Sequence, residues 1–189
     1  MGLATFIGGI HPYEGKELSE DKPIKVLEPL QGEIMVYPLS QHIGAPAKPL
    51  VAKGDHVLKG QIIAEAGGFI SANVLSSVSG TVKGIESKLV ANGAMVQSIL
   101  VENDGEEEAI EGFGTDRDAT KLSKEEIRKI VKDAGIVGLG GAGFPTHVKL
   151  TPKDENAIDY VIVNGAECEP YLTSDYRTMM ERPEQIIGG

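Results

Sequence analysis

Apolar and polar residues alternate along the first hundred residues in short segments, which are separated by turns rich in Gly, Asp, Asn and Pro. Alternation with a period of two is typical of strands that bury one face. No helix of useful length fits this part of the sequence. The pattern predicts strands at 33–37, 47–51, 57–64, 69–75, 81–85 and 94–102.

The apolar period changes to that of a helix after residue 121. Ser123 precedes this helix and Glu126 follows three residues later, which is the spacing of a capping box. Gly135 is placed to end the helix. The apolar positions that carry the helical period are Leu122, Ile127, Ile130, Val131 and Ala134.

The rest of the chain predicts one further strand and one or two helices. The apolar run at 159–164 favours a buried strand, and Thr173 or Ser174 can cap a helix. Pro183 suits the first turn of another helix that would have few residues to run. Because the last 69 residues offer one clear strand and cannot close a parallel sheet alone, we expect the chain to be the N-terminal piece of a longer polypeptide.

Most of the net charge of −10 lies in one segment. Residues 102–120 hold 8 acidic residues against Arg117, which accounts for seven of the ten net charges. Like charges and three glycines favour a solvated, extended linker; an acidic docking strip for a basic partner is the alternative. We therefore predict a β-domain at 1–101, an acidic linker at 102–120 and a second domain at 121–189.

Charge and cysteine content exclude several classes of function. The acidic balance disfavours nucleic-acid binding. A single cysteine, Cys168, allows no intrachain disulfide, no zinc site of paired thiolates and no iron–sulfur cluster held by four thiolates of this chain. The apolar runs are shorter than the roughly 20 residues of a membrane helix. With no signal peptide recognised at the N-terminus, an intracellular location is the expectation.

The β-domain resembles the biotinyl/lipoyl domain family. Its turns stand at Gly54-Asp55, Gly60-Gln61 and Ser79-Gly80, where tight hairpins need backbone freedom. Carriers of this family attach their cofactor to a lysine in the central hairpin, but residues 66–78 contain no lysine. We therefore expect a scaffold that docks or spaces other parts of an assembly.

A glycine-rich stretch, GLGGAGFPTHVKL at 138–150, is the first candidate binding site. Its glycines let main-chain N–H groups approach a flat ring or a phosphate, and Pro145 can open a helix whose positive end faces the ligand. Lys149 lies one turn into that helix, where it can reach an anion or a flavin carbonyl. The alternative is a turn that only reverses the chain.

An acidic turn at the end of the predicted strand is the second candidate. Glu167 and Glu169 flank Cys168 and can accept hydrogen bonds from ribose hydroxyls, an amide or ring N–H groups. Two solvated glutamates, or a Cys168 nucleophile activated by His147, are the alternatives. The other histidines, His11, His42 and His56, lack metal-ligand spacing.

These two stretches, GLGGAGFPTHVKL and NGAECEP, closely resemble the flavin-binding region of RnfC, a family of electron transport complex subunits. More distantly they resemble the NADH-binding flavoprotein subunit of respiratory complex I. The opening TFIGGIHP, the segment PLSQHIGAPAKPLV and the run ECEPYLTSDYR also look like RnfC. A cobalamin reductase relative shares the glycine loop but lacks the TFIGGIHP opening.

The resemblance implies an α+β or α/β chain, in which an all-β barrel-sandwich hybrid precedes the start of a Rossmann-like FMN/NADH-binding domain. Two departures from the complex I pattern, Leu139 for arginine and Ala166 for aspartate, weaken any copied hydrogen-bond scheme. No acid or base catalyst is implied. The implied contacts are Gly138, Gly140, Gly141, Gly143 and Phe144 around the flavin, Lys149 and Asn164 touching it, and Glu167 and Glu169 on the flavin or the nicotinamide nucleotide.

The resemblance also implies an activity and its setting. RnfC-like subunits belong to membrane ion-translocating ferredoxin:NAD oxidoreductases, where FMN exchanges a hydride with NAD(H) and passes electrons singly to 4Fe-4S clusters. Those clusters belong to a C-terminal region and are not ligated by this chain, so we expect no electron relay and no activity from residues 1–189 alone. Because related flavin sites also draw contacts from residues further along the chain, we expect weak or absent FMN binding by these residues. The expected partners are other subunits of the complex, at the cytoplasmic face of the membrane without a direct span. The rival interpretation is a non-catalytic docking module with a vestigial glycine loop.

Overall fold

The computed structural model describes residues 10, 12–139 and 141–188. Gly140 and His11 lie outside the described residues, as does the opening of the chain through Gly9. The chain divides into two compact units. One comprises residues 28–158, and the other combines residues 1–27 with residues 159–189.

Residues 28–158 contain two antiparallel sheets. A four-stranded sheet has the order β1-β7-β6-β3, and a three-stranded sheet has the order β2-β4-β5. A register shift between Val82 and Gly84 bends the long hairpin of β6 and β7. The strands are β1 Ile34–Pro38, β2 Lys48–Pro49, β3 His56–Val57, β4 Ile62–Glu65, β5 Val74–Leu75, β6 Gly80–Leu89 and β7 Met95–Asn103.

The apolar alternation of the sequence produces the core. The hydrophobic core includes Val57, Ile63 and Ile99, whose side chains are completely buried. Burial of this apolar surface stabilises the fold. Each predicted strand region contains an observed strand, although 57–64 divides into β3 and β4, and only Val74–Leu75 of 69–75 is paired. The prediction of an all-β domain is confirmed.

Two of the predicted turns have the geometry that their residues suggest. Gly54 and Gly60 adopt φ of +97° and +84°, which a side chain would strain. The Asp55 carboxylate accepts the Ala52 N–H at 2.8 Å, and the Gln61 side-chain oxygen accepts the Leu58 N–H at 2.9 Å. Each polar residue after the glycine therefore closes its own turn.

The acidic segment starts inside the β-domain. Glu102 and Asn103 belong to β7, and residues 105–121 are exposed, as predicted for a solvated stretch. Ala109 nevertheless pairs with Lys59, so this segment follows the surface of the β-domain. The predicted domain boundaries stay a prediction.

Asp104 fastens the start of this segment. It accepts hydrogen bonds from the Ser79 hydroxyl at 2.6 Å and the Glu106 N–H at 2.9 Å, and it pairs with the His56 ring at 2.9 Å. These hydrogen bonds lower the pKa of Asp104 from its ordinary value of 3.8 to about 2. The bond from the Ser79 hydroxyl has the largest effect on the pKa, and the bond from the Glu106 N–H the next largest. Such a carboxylate stabilises the fold above its unfolded pKa, and this contribution is lost as the pH falls through about 2.

We expect Asp104→Asn to lower the free energy of unfolding by about 2 kcal/mol at pH 7, because the amide cannot replace the charge-assisted bonds. The difference from the wild type should shrink as the pH falls from about 4 to about 2. Urea unfolding across this pH range measures it. Asp116→Asn, in the exposed part of the same segment, is the control and should change the free energy by less than about 0.5 kcal/mol. An equal loss for Asp104→Asn at every pH would contradict the assignment.

Two α-helices follow in the described part of this unit, α1 Lys124–Asp133 and α2 Thr146–Lys149, with 3-10 helices at Ala119–Lys121 and Glu155–Ala157. The predicted capping box is present, with the Ser123 hydroxyl bound to the Glu126 N–H and the Glu126 carboxylate bound to the Ser123 N–H. Gly135, at φ +64°, ends the helix as predicted, close to the backbone of Asn73. The end of α1 therefore packs directly on the β-domain.

The second unit contains α3 Ser174–Glu181 and α4 Pro183–Gly188. The prediction of a buried strand at 159–164 is wrong. Tyr160, Val161 and Ile162 are 85–89% exposed, and within the described ranges no strand pairs with this segment. A parallel strand is buried only when neighbours cover its edges and faces, and the apolar run does not provide those neighbours itself.

Candidate functional site

The glycine loop is a closed loop on the surface of unit 28–158. Two backbone hydrogen bonds join its ends, from Gly138 N–H to the Phe144 carbonyl at 2.9 Å and from Thr146 N–H to the Ile136 carbonyl at 3.0 Å. Val137 and Pro145 thereby form an antiparallel bridge. The base of the loop is therefore fixed by backbone hydrogen bonds.

Two glycines of this loop have opposite surroundings. Gly143 is buried at φ +63°, and a Cβ added there would lie 2.6 Å from the Gln41 carbonyl oxygen and 2.9 Å from the His42 Cα. Gly141 is exposed, and a Cβ added there would meet nothing within 4 Å. One side of the loop is therefore pressed onto the β-domain, while the other leaves main chain open to a ligand.

Lys149 lies beside the base of the loop. Its ammonium is 5.7 Å from the centroid of the Phe144 ring, and a Cβ on Gly138 would lie 3.9 Å from its Nζ. Arg128 of α1 holds the end of α2 by donating to the Leu150 carbonyl at 2.7 Å. An exposed cation next to an aromatic ring suits an anionic or carbonyl-bearing flat ligand.

The helix after the loop differs from the expectation. It begins at Thr146, with Pro145 at the capping position, and it ends at Lys149 after four residues. So short a helix has a small dipole, and we assign it no anion-binding role. The positive charge at this end of the loop comes from Lys149.

A cleft of about 570 Å³ lies where the loop meets the β-domain. Its volume is within the range of small-molecule sites. The walls on the β-domain side come from Pro38, from 40–43 and from the tip of the β6–β7 hairpin at 90–92, while 141–143 form the loop side. Sequence reasoning did not assign the β-domain walls to a site, because the residues are distant along the chain. The one available signal was the PLSQH motif within the family resemblance.

The histidines near the loop are structural. His42 is buried, its Nδ1 bonded to the Ile43 carbonyl at 3.0 Å and its Nε2 accepting the Ala72 N–H at 3.1 Å. His147 is buried with its ring edge-on to Phe69. Burial lowers the pKa of His147. The pairing of His147 with Cys168, which is exposed and belongs to the other unit, stays a prediction.

The acidic turn belongs to the second unit, where Glu167 binds it to helix α3. The Glu167 carboxylate accepts the N–H groups of Asp175 and Tyr176 at 2.7 and 3.0 Å, at the start of α3. It therefore caps this helix, although Thr173 or Ser174 was expected to do so. Thr173 occupies the N-cap position, but its hydroxyl donates to Ser19 instead.

The other two predicted residues of the turn, Asn164 and Glu169, differ in whether their side chains are free to contact a ligand. The Asn164 side-chain oxygen accepts the Ala166 N–H at 3.0 Å, which closes a local turn. Glu169 is exposed, and its backbone carbonyl accepts a hydrogen bond from Lys16 at 3.0 Å. Of the two glutamates, Glu169 has the side chain that is available to a ligand. Each unit thus assembles its own group of predicted residues: 138, 141, 143, 144 and 149 in one, and 164, 167 and 169 in the other.

Metal-binding clusters and membrane-spanning helices are both absent from the part of the chain that the structure describes. Within these residues, no group of three or more His, Cys, Asp or Glu side chains is placed to hold a metal ion. The same residues form no helix that is both long enough and apolar enough to cross a membrane.

Comparisons with protein families match both parts of the chain. The RnfC barrel sandwich hybrid domain matches residues 4–106, and the Nuo51 FMN-binding domain matches residues 131–189. The predicted fold class, an all-β domain followed by the start of an α/β flavin domain, is confirmed.

Similar curated proteins are the C subunits of ion-translocating oxidoreductase complexes. That of the proton-translocating ferredoxin:NAD(+) oxidoreductase complex of Clostridium ljungdahlii is 46% identical over 187 residues, which cover 99% of this chain and 40% of that protein. The Na(+)-translocating counterpart of Acetobacterium woodii is 44% identical over 98% of this chain and 41% of its own length. The corresponding protein of the ion-translocating oxidoreductase complex of Rhodobacter capsulatus is 44% identical over 96% of this chain and 35% of its own length. The chain thus spans about two fifths of the first two relatives.

Proposed function

Since the chain belongs to the RnfC family, we propose that it is the N-terminal part of the flavoprotein subunit of an ion-translocating ferredoxin:NAD oxidoreductase complex. Its role there is to bind FMN and a nicotinamide nucleotide for hydride exchange. The observation that carries the proposal is the glycine loop, which is closed at its base, open at Gly141 and flanked by the ammonium of Lys149.

The residues present fit a flavin. The main chain at Gly141 is open to a flat ring, because a Cβ added there would meet nothing within 4 Å. Phe144 offers an aromatic surface, and Lys149 offers a cation to a ring carbonyl or a phosphate. Gly138 and Gly143 serve the loop itself, through its closing hydrogen bond and its packing on the β-domain.

The acidic turn offers a nucleotide a different kind of contact. Glu169 supplies an exposed carboxylate for hydroxyl or N–H groups, Asn164 closes the turn that carries it, and Glu167 fixes the turn to α3. A bound FMN would supply the chemistry of hydride exchange with NAD(H) and of single-electron release to iron–sulfur clusters. The protein supplies position and electrostatics, and we assign no acid or base catalyst.

The proposal includes the setting of the protein. The 4Fe-4S clusters belong to a cysteine-rich region after residue 189, and the partners are the other subunits of the complex, with NAD(H) as substrate. The protein lies peripherally at the cytoplasmic face of the membrane. The β-domain, which has no lysine at 66–78, acts as scaffold rather than as a carrier of biotin or lipoate.

Flavin titration of the polypeptide extended through the cluster region tests this proposal. We expect a yellow complex whose absorbance is bleached by NADH. Glu169→Gln should weaken FMN or NADH binding about 10-fold with unchanged thermal stability, because it removes an exposed charge from the site. Glu167→Gln should instead lower stability by about 1 kcal/mol, because the amide caps α3 less well than the carboxylate.

The matched pair separates the two roles. Equal effects of both substitutions on stability, with none on binding, would contradict the assignment of Glu169. Absence of any flavin complex in the wild type would refute the flavoprotein proposal and favour a docking module with a vestigial loop.

A further inference from the structure

Residues 13–24, which precede strand β1, contact the acidic turn and helix α3. The ammonium of Lys16 donates to the Glu169 carbonyl at 3.0 Å and to the Leu172 carbonyl at 2.7 Å, and the Ser19 hydroxyl donates to the Tyr171 carbonyl at 2.9 Å. Each bond joins residues more than 150 positions apart in sequence. The side chains of Lys16 and Ser19 therefore hold three carbonyl groups of the turn, all within residues 169–172.

Tyr171 shows how firmly the turn is held. Its φ is +68°, a left-handed conformation that is uncommon for residues other than glycine. Its N–H donates to the Glu14 carbonyl at 2.6 Å, and its ring meets the Tyr13 ring edge-on at 6.2 Å. A conformation of this kind persists only where its surroundings impose it.

Gly15 completes the contact. It is buried, and a Cβ added there would lie 2.3 Å from the Tyr171 ring. The aromatic ring therefore rests on the main chain of the segment next to Lys16. Further along, Arg177 of α3 donates to the Glu20 carbonyl at 3.1 Å, and the Glu181 carboxylate accepts the Ile24 N–H at 3.0 Å. The segment thus binds the turn and the helix that Glu167 caps.

We infer that residues 13–19 form part of the nucleotide site, and that Lys16 is the positioning residue that holds the backbone of Glu169. The inference rests on the proposed function, in which the Glu169 carboxylate meets a nucleotide. The ammonium of Lys16 donates hydrogen bonds to two carbonyl groups of the turn. It fixes the direction from which the Glu169 side chain leaves the backbone, and it does so without touching the ligand.

Hydrogen exchange of the full-length protein tests the contact directly. In Lys16→Met, amides of residues 165–172 should exchange about 10-fold faster, while amides of β7 keep the wild-type rate. Lys22→Met is the matched control, because it removes the same charge from the same segment and the Lys22 ammonium donates to Leu18 rather than to the turn. It should leave both regions unchanged.

Nucleotide binding tests the positioning role. Lys16→Met should raise the dissociation constant for FMN or NADH about 10-fold at a melting temperature close to that of the wild type, because a displaced carboxylate loses its contact. Lys16→Arg, which keeps donors for both carbonyl groups, should restore the constant to within about threefold. A purely structural role would lower the melting temperature and would not be rescued in this way.

The outcomes separate this inference from the proposed function. Unchanged exchange at 165–172 in Lys16→Met overturns the inference even if FMN binds normally. Equal weakening by Lys16→Met and Lys22→Met also overturns it, because total charge would then be the cause. If the wild type takes up no FMN, the proposed function fails, and the exchange rates alone decide whether Lys16 holds the turn.

Discussion

Gly141→Glu is expected to weaken FMN binding by the full-length protein at least about 100-fold, equivalent to about 2.7 kcal/mol. The glutamate has room, because a Cβ at this position meets nothing within 4 Å. The side chain and its charge therefore occupy the open side of the loop, where the flavin ring and its phosphate would approach. Flavin fluorescence titration measures the change.

The fold should not respond to this substitution. Gly141 is exposed, and its φ lies outside the left-handed range, so a side chain adds no backbone strain. We expect the free energy of unfolding to change by less than about 0.5 kcal/mol. Gly141→Ala is the control, with an effect on binding below about threefold. Wild-type FMN affinity in Gly141→Glu would show that the flavin does not use this loop.

Gly143→Ala is expected to lower the free energy of unfolding by about 2–4 kcal/mol. The left-handed φ of +63° accounts for about 1 kcal/mol of this. The remainder comes from overlap of the new methyl group with the Gln41 carbonyl oxygen at 2.6 Å and the His42 Cα at 2.9 Å. These are backbone atoms, so rotation of a side chain cannot relieve the overlap. Urea unfolding followed by circular dichroism measures the loss.

Gly93→Ala is the matched control for backbone strain. Gly93 has φ +82°, but a Cβ there meets nothing within 4 Å. It should cost about 1 kcal/mol, so that the difference between the two variants reports the overlap alone. Equal losses in both variants would show that the glycine loop is not pressed against the Gln41 backbone.

Local patterns predicted the elements whose causes are local. The capping box of α1 needs Ser123 and Glu126, which are three residues apart, and the stop at Gly135 needs only a left-handed residue. The turns at Gly54 and Gly60 likewise close through the next residue along the chain. The core strands followed from alternation, because one buried face imposes a period of two.

The sequence-based predictions failed where the structure of a segment depends on contacts with other parts of the chain. The run at 159–164 has the composition of a buried strand, but a strand also needs neighbours that this run does not encode. The sequence predicts Thr173 or Ser174 as the cap of α3; Thr173 does occupy the N-cap position, but its side chain makes no capping hydrogen bond. The carboxylate of Glu167 lies only seven residues before the helix, and it takes this role because the turn folds back onto the helix end.

Residue type, short spacing and apolar period were enough to predict the β-domain and the helix after the acidic segment. Local motifs were also enough to recognise the family resemblance and the two stretches that hold the candidate site residues. The chain carries each of these signals locally. The distinction of Gly141 from Gly143, and of Glu169 from Glu167, required the tertiary structure, since members of each pair are alike in type and differ in what surrounds them. The fold also brings Lys16 to the acidic turn, across more than 150 residues, because hydrogen bonds and packing act between neighbours in space.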